Sequence, residues 1–488
     1  MNLVFATATQ LAQMIRDREV SAVEVLNAYL EQIAKHNSRI NAIATLDTER
    51  AKQRAIEADE ALAKGKNWGV LHGVPITIKD AIETTGLRTT AGYLPLKDYI
   101  PQHDAIAVER LRASGAIIMA KTNCATVAAD HQTNNSVFGR TNNPWNLNYT
   151  PGGSTGGGAA AIAAGLSPLE LGSDGGGSIR QPAHCCGVFG FKPTDRLVPT
   201  LGHLPEVPGY PKSIRHVLTI GALARSVEDL KLCLCLIAGA DPRQPEIPPV
   251  AIKTPPEILS LRIAWTPELG NLTVDREISL ALANFVTRLA EAGCLIERHI
   301  PEEFDFDAAW QTYGESYGQE ILAGEPVFTW DNILTTLKIN YYKFRVDRQY
   351  RNSPIERGFL KAFPLNLNKY MQALTKRDRL IAQMDRFLAD WDAYLCPVSS
   401  ITAFPHQPKG KPIEVNGIKL PYTTACGGYA TLFNFTGHPV VVIPIGQSKS
   451  GLPIGVQIVG KRWQDLELLA IARKIDLIAS DFQHPPGY

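Results

Sequence analysis

A lysine ends a short apolar run at residues 73–80, which read GVPITIKD. Because most lysines are exposed, Lys79 taken alone is typical of a solvated strand end. A lysine partly buried there would have a lowered pKa and could accept a proton as a neutral amine. Lys79 is therefore a candidate general base, and we expect Asp80 to point away from it and anchor the backbone.

A glycine-rich segment at residues 151–158, PGGSTGGG, places Ser154 and Thr155 among five glycines. Glycine permits backbone conformations that other residues avoid. A flexible linker has such a composition, and so does a phosphate-binding loop, although the Lys-Ser/Thr ending of a P-loop is missing. Because a small-residue helix pattern follows at 159–165, we expect a structured loop docked on that helix.

Three successive glycines precede Ser178 within residues 172–183, GSDGGGSIRQPA. Neighbouring N–H groups without Cβ atoms can point at one spot and form an oxyanion hole, and Ser178 then stands where an attacking oxygen is needed. The candidate amides belong to Gly175, Gly176 and Gly177. The G-x-S-x-G elbow of α/β hydrolases is not matched, because Arg180 occupies its last position.

A histidine base is the alternative to the lysine, since the chain has eleven histidines. Three of them, His131, His184 and His438, lie in or near these segments. Each is more typical of a packed or surface histidine than of a base.

The elements that must position these residues alternate between strand and helix. Strand patterns occur at 74–78 and 116–119, with a helical stretch at 104–114 between them, and strands return at 440–445 and 454–459. This alternation predicts an α/β fold, and strands from both ends of the chain predict one large domain.

Helical patterns frame this core. Ser21 and Glu24 form a capping-box pattern before apolar residues at helical spacing, and helices are also predicted at 49–64 and 464–476. Residues 240–256 are rich in proline and fit either a linker or a long surface crossing. Residues 300–390 are more aromatic and helical.

Composition excludes several classes of protein. The 488 residues include 49 Lys plus Arg and 48 Asp plus Glu, so bulk charge gives no support to nucleic-acid binding. The eight cysteines contain no CxxC pair, and we expect mostly buried, reduced thiols. The N-terminus does not resemble a secretory signal, and no apolar run reaches membrane-spanning length. These features predict a soluble cytoplasmic protein with no membrane partner, metal or cofactor.

Together the three segments resemble the amidase signature family. Residues 151–194 match its Gly/Ser-rich stretch, Gly73 to Asp80 match its lysine-bearing strand, and Ser154 stands 24 positions before Ser178 as the family has it. The KTN at 121–123 with NPWN at 143–146, and GLPIGVQIVG at 451–460, fit as well. The resemblance covers residues 7 to 476.

The resemblance implies hydrolysis of a carboxamide to a carboxylate and ammonia or an amine. Ser178 would be the nucleophile, Ser154, in a cis peptide after Gly153, would relay a proton, and Lys79 would be the base. The implied fold is a single α/β domain over 1–488, with a central twisted mixed sheet covered by helices on both faces. Its expected parts are an N-terminal helical layer at 1–65, a core sheet with the signature at 66–240 and 390–488, and a variable substrate-side region at 241–390.

Some positions depart from the family pattern. Thr155 replaces the usual second serine, and Gly175 replaces the usual threonine after Asp174, which leaves backbone donation intact. Where the glutaminase subunits of tRNA-dependent amidotransferases carry an acidic residue, before Asn434 to Gly437, this chain has Gly427. The sequence therefore favours a stand-alone amidase. The alternatives are the glutaminase subunit of such an amidotransferase, a catalytically dead binding protein with the same fold, and an unrelated hydrolase with a histidine base.

The substrate is expected to be a small-molecule amide, bound near the loop 125–136 and the region 300–360. An aromatic wall there would suit an aryl or medium alkyl amide. The candidate substrate-binding residues are Thr155, Asp174, Asn134 and Tyr317, and further candidates for lining are Tyr313, Phe328 and Trp330. A homodimer is compatible with the sequence.

Overall fold

Eleven strands pair into one mixed β-sheet in the computed structural model, which describes residues 2–205, 212–251, 253, 255, 260–324, 353–479 and 482–488. The strands are β1 Ile43–Leu46, β2 Pro75–Lys79, β3 Ile117–Thr122, β4 Asn134–Asn135, β5 Gly139–Arg140, β6 Leu169–Asp174, β7 Phe189–Lys192, β8 Thr219–Ala224, β9 Arg262–Trp265, β10 Leu295–Arg298, β11 Ala393–Pro397, β12 Ile413–Val415, β13 Ile418–Leu420, β14 Val440–Gln447 and β15 Pro453–Val459. The order in the sheet is β1-β3-β2-β6-β8-β7-β14-β15-β11-β9-β10, while β4 pairs with β5 and β12 with β13.

The sheet combines strands from distant parts of the chain. β14 pairs with β7 on one side and with β15 on the other, and β15 in turn pairs with β11. The two strands nearest the C-terminus therefore lie inside the sheet. This arrangement confirms the predicted α/β fold with a central mixed sheet.

Helices cover this sheet, and most lie where the sequence predicts them. They are α1 Ala8–Arg16, α2 Ala22–Ile40, α3 Thr48–Ala63, α4 Ile106–Ala113, α5 Gly156–Ala163, α6 Arg180–Cys186, α7 Val227–Ile237, α8 Arg276–Glu291, α9 Phe306–Gly324, α10 Pro354–Lys361, α11 Leu367–Ala389, α12 Tyr422–Phe435 and α13 Asp465–Asp476. The capping box of Ser21 and Glu24 is formed in both directions at the start of α2. α5 begins at Gly156, three residues before the predicted start, and is buried throughout, so its glycines serve close packing rather than a linker.

The core strands β2, β3 and β6 are buried at every position. Strands covered on both sides read as apolar runs without alternation, which explains the pattern of residues 74–78. All eight cysteines are unpaired, and most are buried, as predicted. No helix among the described residues is long and apolar enough to span a membrane.

Candidate active site

Lys79 is the last residue of β2, which lies between β3 and β6 and runs parallel to both. Parallel strands bring their carboxyl ends to one edge of the sheet. The side chain of Lys79 therefore meets the end of β6, where Ser173 and Asp174 lie. The side chain of Lys79 is fully buried, which excludes the interpretation of this residue as an exposed lysine at a strand end.

Three hydroxyl groups surround the amine of Lys79. Its Nζ donates to Ser154 Oγ at 2.7 Å, to Thr155 Oγ1 at 3.0 Å and to Ser173 Oγ at 3.0 Å. These contacts bring together the lysine-bearing strand and the glycine-rich loop, as the sequence predicts. Thr155 itself donates to the backbone oxygen of Ser173.

The surroundings of Lys79 favour its neutral form. Burial lowers its pKa to about 8, while the nearby Cys124, Asp174 and Glu170 act in the opposite direction. Removing an ammonium group from water is costly, so a buried lysine loses its proton more readily than an exposed one. The side chain is thus suited to accept a proton slightly above neutral pH.

Ser154 follows a cis peptide bond to Gly153, as the resemblance implies. The loop is held in place from several sides. The N–H of Gly153 donates to Gln181 Oε1 at 2.8 Å, and the N–H of Thr155 donates to the backbone oxygen of Ser178 at 3.1 Å. The loop that carries Ser154 is therefore bonded directly to the segment that carries Ser178.

Ser178 lies between the end of β6 and the start of α6, and 9% of its surface is exposed. Gly177 before it has φ +104°, and an added Cβ there would lie 2.8 Å from Cβ of Ala430. Only glycine fits this backbone and this space. Among the described residues the Ser178 hydroxyl makes no hydrogen bond, so the structure links Ser178 to the Lys79 cluster through its backbone.

The carboxylate of Asp174 organises the turn around Ser178. It accepts hydrogen bonds from the backbone N–H groups of Gly177 and Ile179, at 2.8 and 3.0 Å. It also accepts hydrogen bonds from Nε and Nη2 of Arg180, at 3.0 and 2.9 Å. Asn434 donates to it at 2.8 Å. The Arg180 guanidinium and these donors lower the pKa of Asp174 despite its burial.

These hydrogen bonds involve two of the predicted site residues, Asp174 and Gly177. Asp174 is buried, and both of its carboxylate oxygens accept hydrogen bonds from protein donors, so it shapes the turn. The N–H of Gly177, one of the predicted oxyanion-hole donors, donates to Asp174 at 2.8 Å. Across the described residues the N–H groups of Gly175, Gly176 and Ser178 have no hydrogen-bond acceptor.

The other residues predicted to contact substrate lie at different places in the structure. Thr155 is buried, and its hydroxyl accepts a hydrogen bond from Lys79. Asn134 is exposed on the β4–β5 hairpin, paired with Arg140. The hydroxyl of Tyr317 lies 3.6 Å from the position of a Cβ on Gly175, next to the predicted hole. Phe328 and Trp330 lie outside the described residues.

An imidazole occupies the space beside Gly427, the position at which an acidic residue would have indicated glutamine recognition. An added Cβ on Gly427 would lie 2.9 Å from His131 Nε2 and 3.3 Å from the backbone oxygen of Gly176. Burial lowers the pKa of His131 to about 4, which keeps the ring neutral. His131 thus lies close to the glycine turn, although nothing places it in contact with Lys79.

The structure adds two residues, Ser173 and His203, that the sequence analysis did not identify as part of the site. Ser173 and His203 extend the Lys79 cluster, because His203 Nε2 lies 2.7 Å from Ser173 Oγ. His184 is buried between backbone groups of Ile401 and Gly455, and His438 contacts Asp385, so neither lies in the cluster. Among the described residues no group of three His, Cys, Asp or Glu side chains is placed to hold a metal ion.

Comparisons with known proteins place the chain in a family. The profile of the Amidase family matches residues 24–469. A glutamyl-tRNA(Gln) amidotransferase subunit from Koribacter versatilis is 31% identical over 490 residues, with 98% of each chain covered. The structure of 6-aminohexanoate cyclic dimer hydrolase is 26% identical with a TM-score of 0.77, covering 99% of both chains. A bacterial aryl acylamidase, 23% identical over 99% of both chains, shares the fold with a TM-score of 0.80. With its family profile matched over nearly the whole length, the chain belongs to the amidase signature family.

Proposed function

We propose that this protein hydrolyses the C–N bond of a carboxamide through an acyl-enzyme on Ser178, with Ser154 as proton relay and Lys79 as base. The observation that carries the proposal is the 2.7 Å hydrogen bond between Lys79 Nζ and Ser154 Oγ, inside a site whose burial lowers the pKa of the lysine. A free serine hydroxyl is a weak nucleophile and needs such a base. Since both ends of the chain contribute to the sheet, we also propose that residues 1–488 form one catalytic domain.

The reaction would proceed in two balanced stages. Neutral Lys79 takes the proton of Ser154, which takes that of Ser178 as Ser178 Oγ bonds to the carbonyl carbon. Lys79 then gives its added proton back to Ser154, Ser154 gives one proton to the nitrogen of the substrate, the C–N bond breaks, and ammonia or an amine leaves. Water attacks the resulting ester by the same route, and the carboxylate leaves with Ser178 restored.

The oxyanion of each tetrahedral intermediate would be held by the glycine turn. Of the amides around Ser178, those of Gly175, Gly176 and Ser178 itself have no acceptor among the described residues. The amide of Gly177 donates to Asp174 and fixes the turn. Donors held in advance stabilise developing charge without reorganisation, which is the main contribution of such a site.

The neighbourhood of the turn favours a neutral amide over glutamine. Recognition of a free α-ammonium needs a nearby carboxylate, whereas the space at Gly427 holds the neutral ring of His131. The similarity to the Koribacter protein supports the alternative, a glutaminase subunit within an amidotransferase. A catalytically dead binding protein would have no need of a buried lysine bonded to Ser154.

The decisive experiment uses the purified chain alone, without ATP or a partner. A fluorophosphonate probe should label Ser178, and Ser178→Ala should abolish both the labelling and the turnover of a panel of aliphatic and aryl amides. Labelling that persists in the alanine variant would move the nucleophile elsewhere. Glutaminase activity that appears only with a partner chain would instead establish the amidotransferase alternative.

A further inference from the structure

The hydroxyl of Ser173 lies between Lys79 and His203. It accepts from Lys79 Nζ at 3.0 Å, and its oxygen lies 2.7 Å from His203 Nε2. The other ring nitrogen, Nδ1 of His203, is buried and has no partner among the described residues. A second branch of hydrogen bonds therefore leaves the lysine on the side away from Ser154.

The backbone fixes the place of this imidazole. Residues 202–204 pair antiparallel with 81–83, the segment that follows Lys79: Glu83 donates to the oxygen of Gly202 and Leu204 to that of Ala81, each at 2.8 Å. The ring is therefore held at a set distance from the end of β2. It is not a surface side chain that happens to reach the site.

Counting protons shows what the branch does. An ammonium group on Lys79 can donate to all three surrounding hydroxyls, but a neutral amine has two N–H donors and one lone pair. That lone pair must accept from one of the hydroxyls. Thr155 directs its proton to the backbone oxygen of Ser173 at 3.2 Å. If Ser173 directs its proton to His203, only Ser154 remains to face the lone pair.

His203 can accept that proton as the neutral Nδ1–H tautomer, in which Nε2 carries the lone pair. Burial, together with the charges of Lys79 and Lys212, lowers its pKa to about 3. The other groups that face Lys79 are Cys124, Asp174 and Glu170, and the Asp174 carboxylate is already held by Arg180. Among the groups that face Lys79, none besides His203 contacts the hydroxyl of Ser173.

We propose that His203 is a positioning residue, which holds the proton of Ser173 so that the lone pair of neutral Lys79 points at Ser154. Its catalytic meaning rests on the proposed amide hydrolysis. Without the imidazole, Ser173 becomes free to donate to the lysine lone pair and to compete with Ser154. The Ser173 oxygen also becomes a weaker acceptor for the Lys79 ammonium, because a hydroxyl that no longer donates to the imidazole is less polarised, so the pKa of Lys79 falls.

The test compares His203→Leu, which fills the space without an acceptor, with His203→Gln, whose Oε1 can stand near the position of Nε2. In the leucine variant, the plateau of kcat/KM for an amide at high pH should be about tenfold lower, which corresponds to the loss of one hydrogen bond. The rise of kcat/KM with pH, the limb of the profile that follows deprotonation of Lys79, should occur at lower pH. The glutamine variant should stay within about threefold of the native enzyme. Where the leucine variant does not fold, His203→Asn, which is too short to reach Ser173, takes its place.

Ser173→Ala provides the matched background. Adding His203→Leu to it should change neither kcat/KM nor the limb further, because the proposed effect passes through the Ser173 hydroxyl. A native pH limb in His203→Leu, or effects of the two substitutions that add, would overturn the proposal.

Carbon-13 NMR of labelled lysine, with the Lys79 signal assigned from its loss in Lys79→Arg, reads the lysine titration without turnover. It should show a lower pKa for Lys79 in His203→Leu, and an unchanged titration would count against the proposal. A native protein that neither turns over amides nor reacts with fluorophosphonate would refute the proposed function alone, since this titration still decides whether His203 acts on Lys79.

Discussion

Asp174 and Arg180 form an ion pair at 2.9 Å in which neither side chain is exposed to solvent. The side chain of Arg180 also donates hydrogen bonds to residues from distant parts of the chain. Its Nη1 donates to Gln457 Oε1 at 2.7 Å and its Nη2 to Asn434 Oδ1 at 2.5 Å. The turn that carries Ser178 is thus bonded to α12 and to β15.

Removing this arginine should destabilise the protein strongly. In Arg180→Met the Asp174 carboxylate stays buried without its counter-charge, a change that costs about 3–5 kcal/mol. Denaturant unfolding measures the loss. The control is Arg386→Met, which breaks an ion pair with Glu303 whose partners are 62% and 77% exposed and should change stability by less than about 1 kcal/mol. Equal losses in the two variants would contradict this account of the pair.

Activity should rise with pH through about 8, the pKa to which burial lowers Lys79. The sign follows from the chemistry: the active form of the base is the neutral amine, which replaces the ammonium as pH increases. From pH 7 to the plateau, kcat/KM for an amide should increase roughly tenfold. A profile that falls over this range would exclude a lysine base.

The rise of activity with pH should be unchanged when any one of three histidines is substituted. His131 and His184 have pKa values lowered to about 4 by burial, and His438 contacts Asp385. Substituting Asn for each in turn should leave the position of the limb unchanged, measured on folded protein. One substitution that removes the limb would identify a different base.

Lys79→Ala should lose amide cleavage by about 10²–10⁴-fold, the range of general base catalysis. An activated ester should suffer less, because its leaving group needs less protonation. Lys79→Arg should fail almost as badly, since a guanidinium keeps its proton in this pH range. The measurement is kcat/KM for a matched amide and ester. Equal losses on both substrates would mean that Lys79 holds structure and does not move protons.

The three glycines before Ser178 should differ in tolerance. A Cβ at Gly175 meets only ordinary contacts, at 3.6 Å from Leu218 and Tyr317, so Gly175→Ala should keep nearly native activity. Gly177→Ala combines φ +104° with a 2.8 Å approach to Ala430, and it should cost more than about 1 kcal/mol of stability and most of the activity. The two variants are compared by their stability, measured by circular dichroism, and by their rate of amide turnover. Equal stability and equal turnover in the two variants would refute the packing argument.

Much of this site could be predicted from local patterns. The apolar run before Lys79 and the glycines around Ser154 and Ser178 are continuous in sequence, and the chemistry they need restricts the residue types. Strand β14 was predictable in a similar way, because its first four residues, 440–443, are buried and form an uninterrupted apolar run.

The remainder depends on contacts between distant segments. His203 carries no motif, and it reaches Ser173 only because residues 202–204 pair with 81–83. Asp174 was named as a candidate for binding substrate, and the donors that contact its carboxylate include Asn434, which no local pattern connects to it. Buried polar groups must find partners, yet the sequence alone does not say which ones.

The place of β14 and β15 between β7 and β11 has a consequence for biosynthesis. While the ribosome is still making residues 440–459, β7 and β11 lack the strands that join them, and Arg180 lacks Gln457. The nascent chain therefore carries an open sheet edge, which invites association with other chains. The turn that carries Ser178 gains the bond from Arg180 to Gln457 only after residue 457 has been made, so a chain interrupted before β15 lacks this bond and is prone to aggregate.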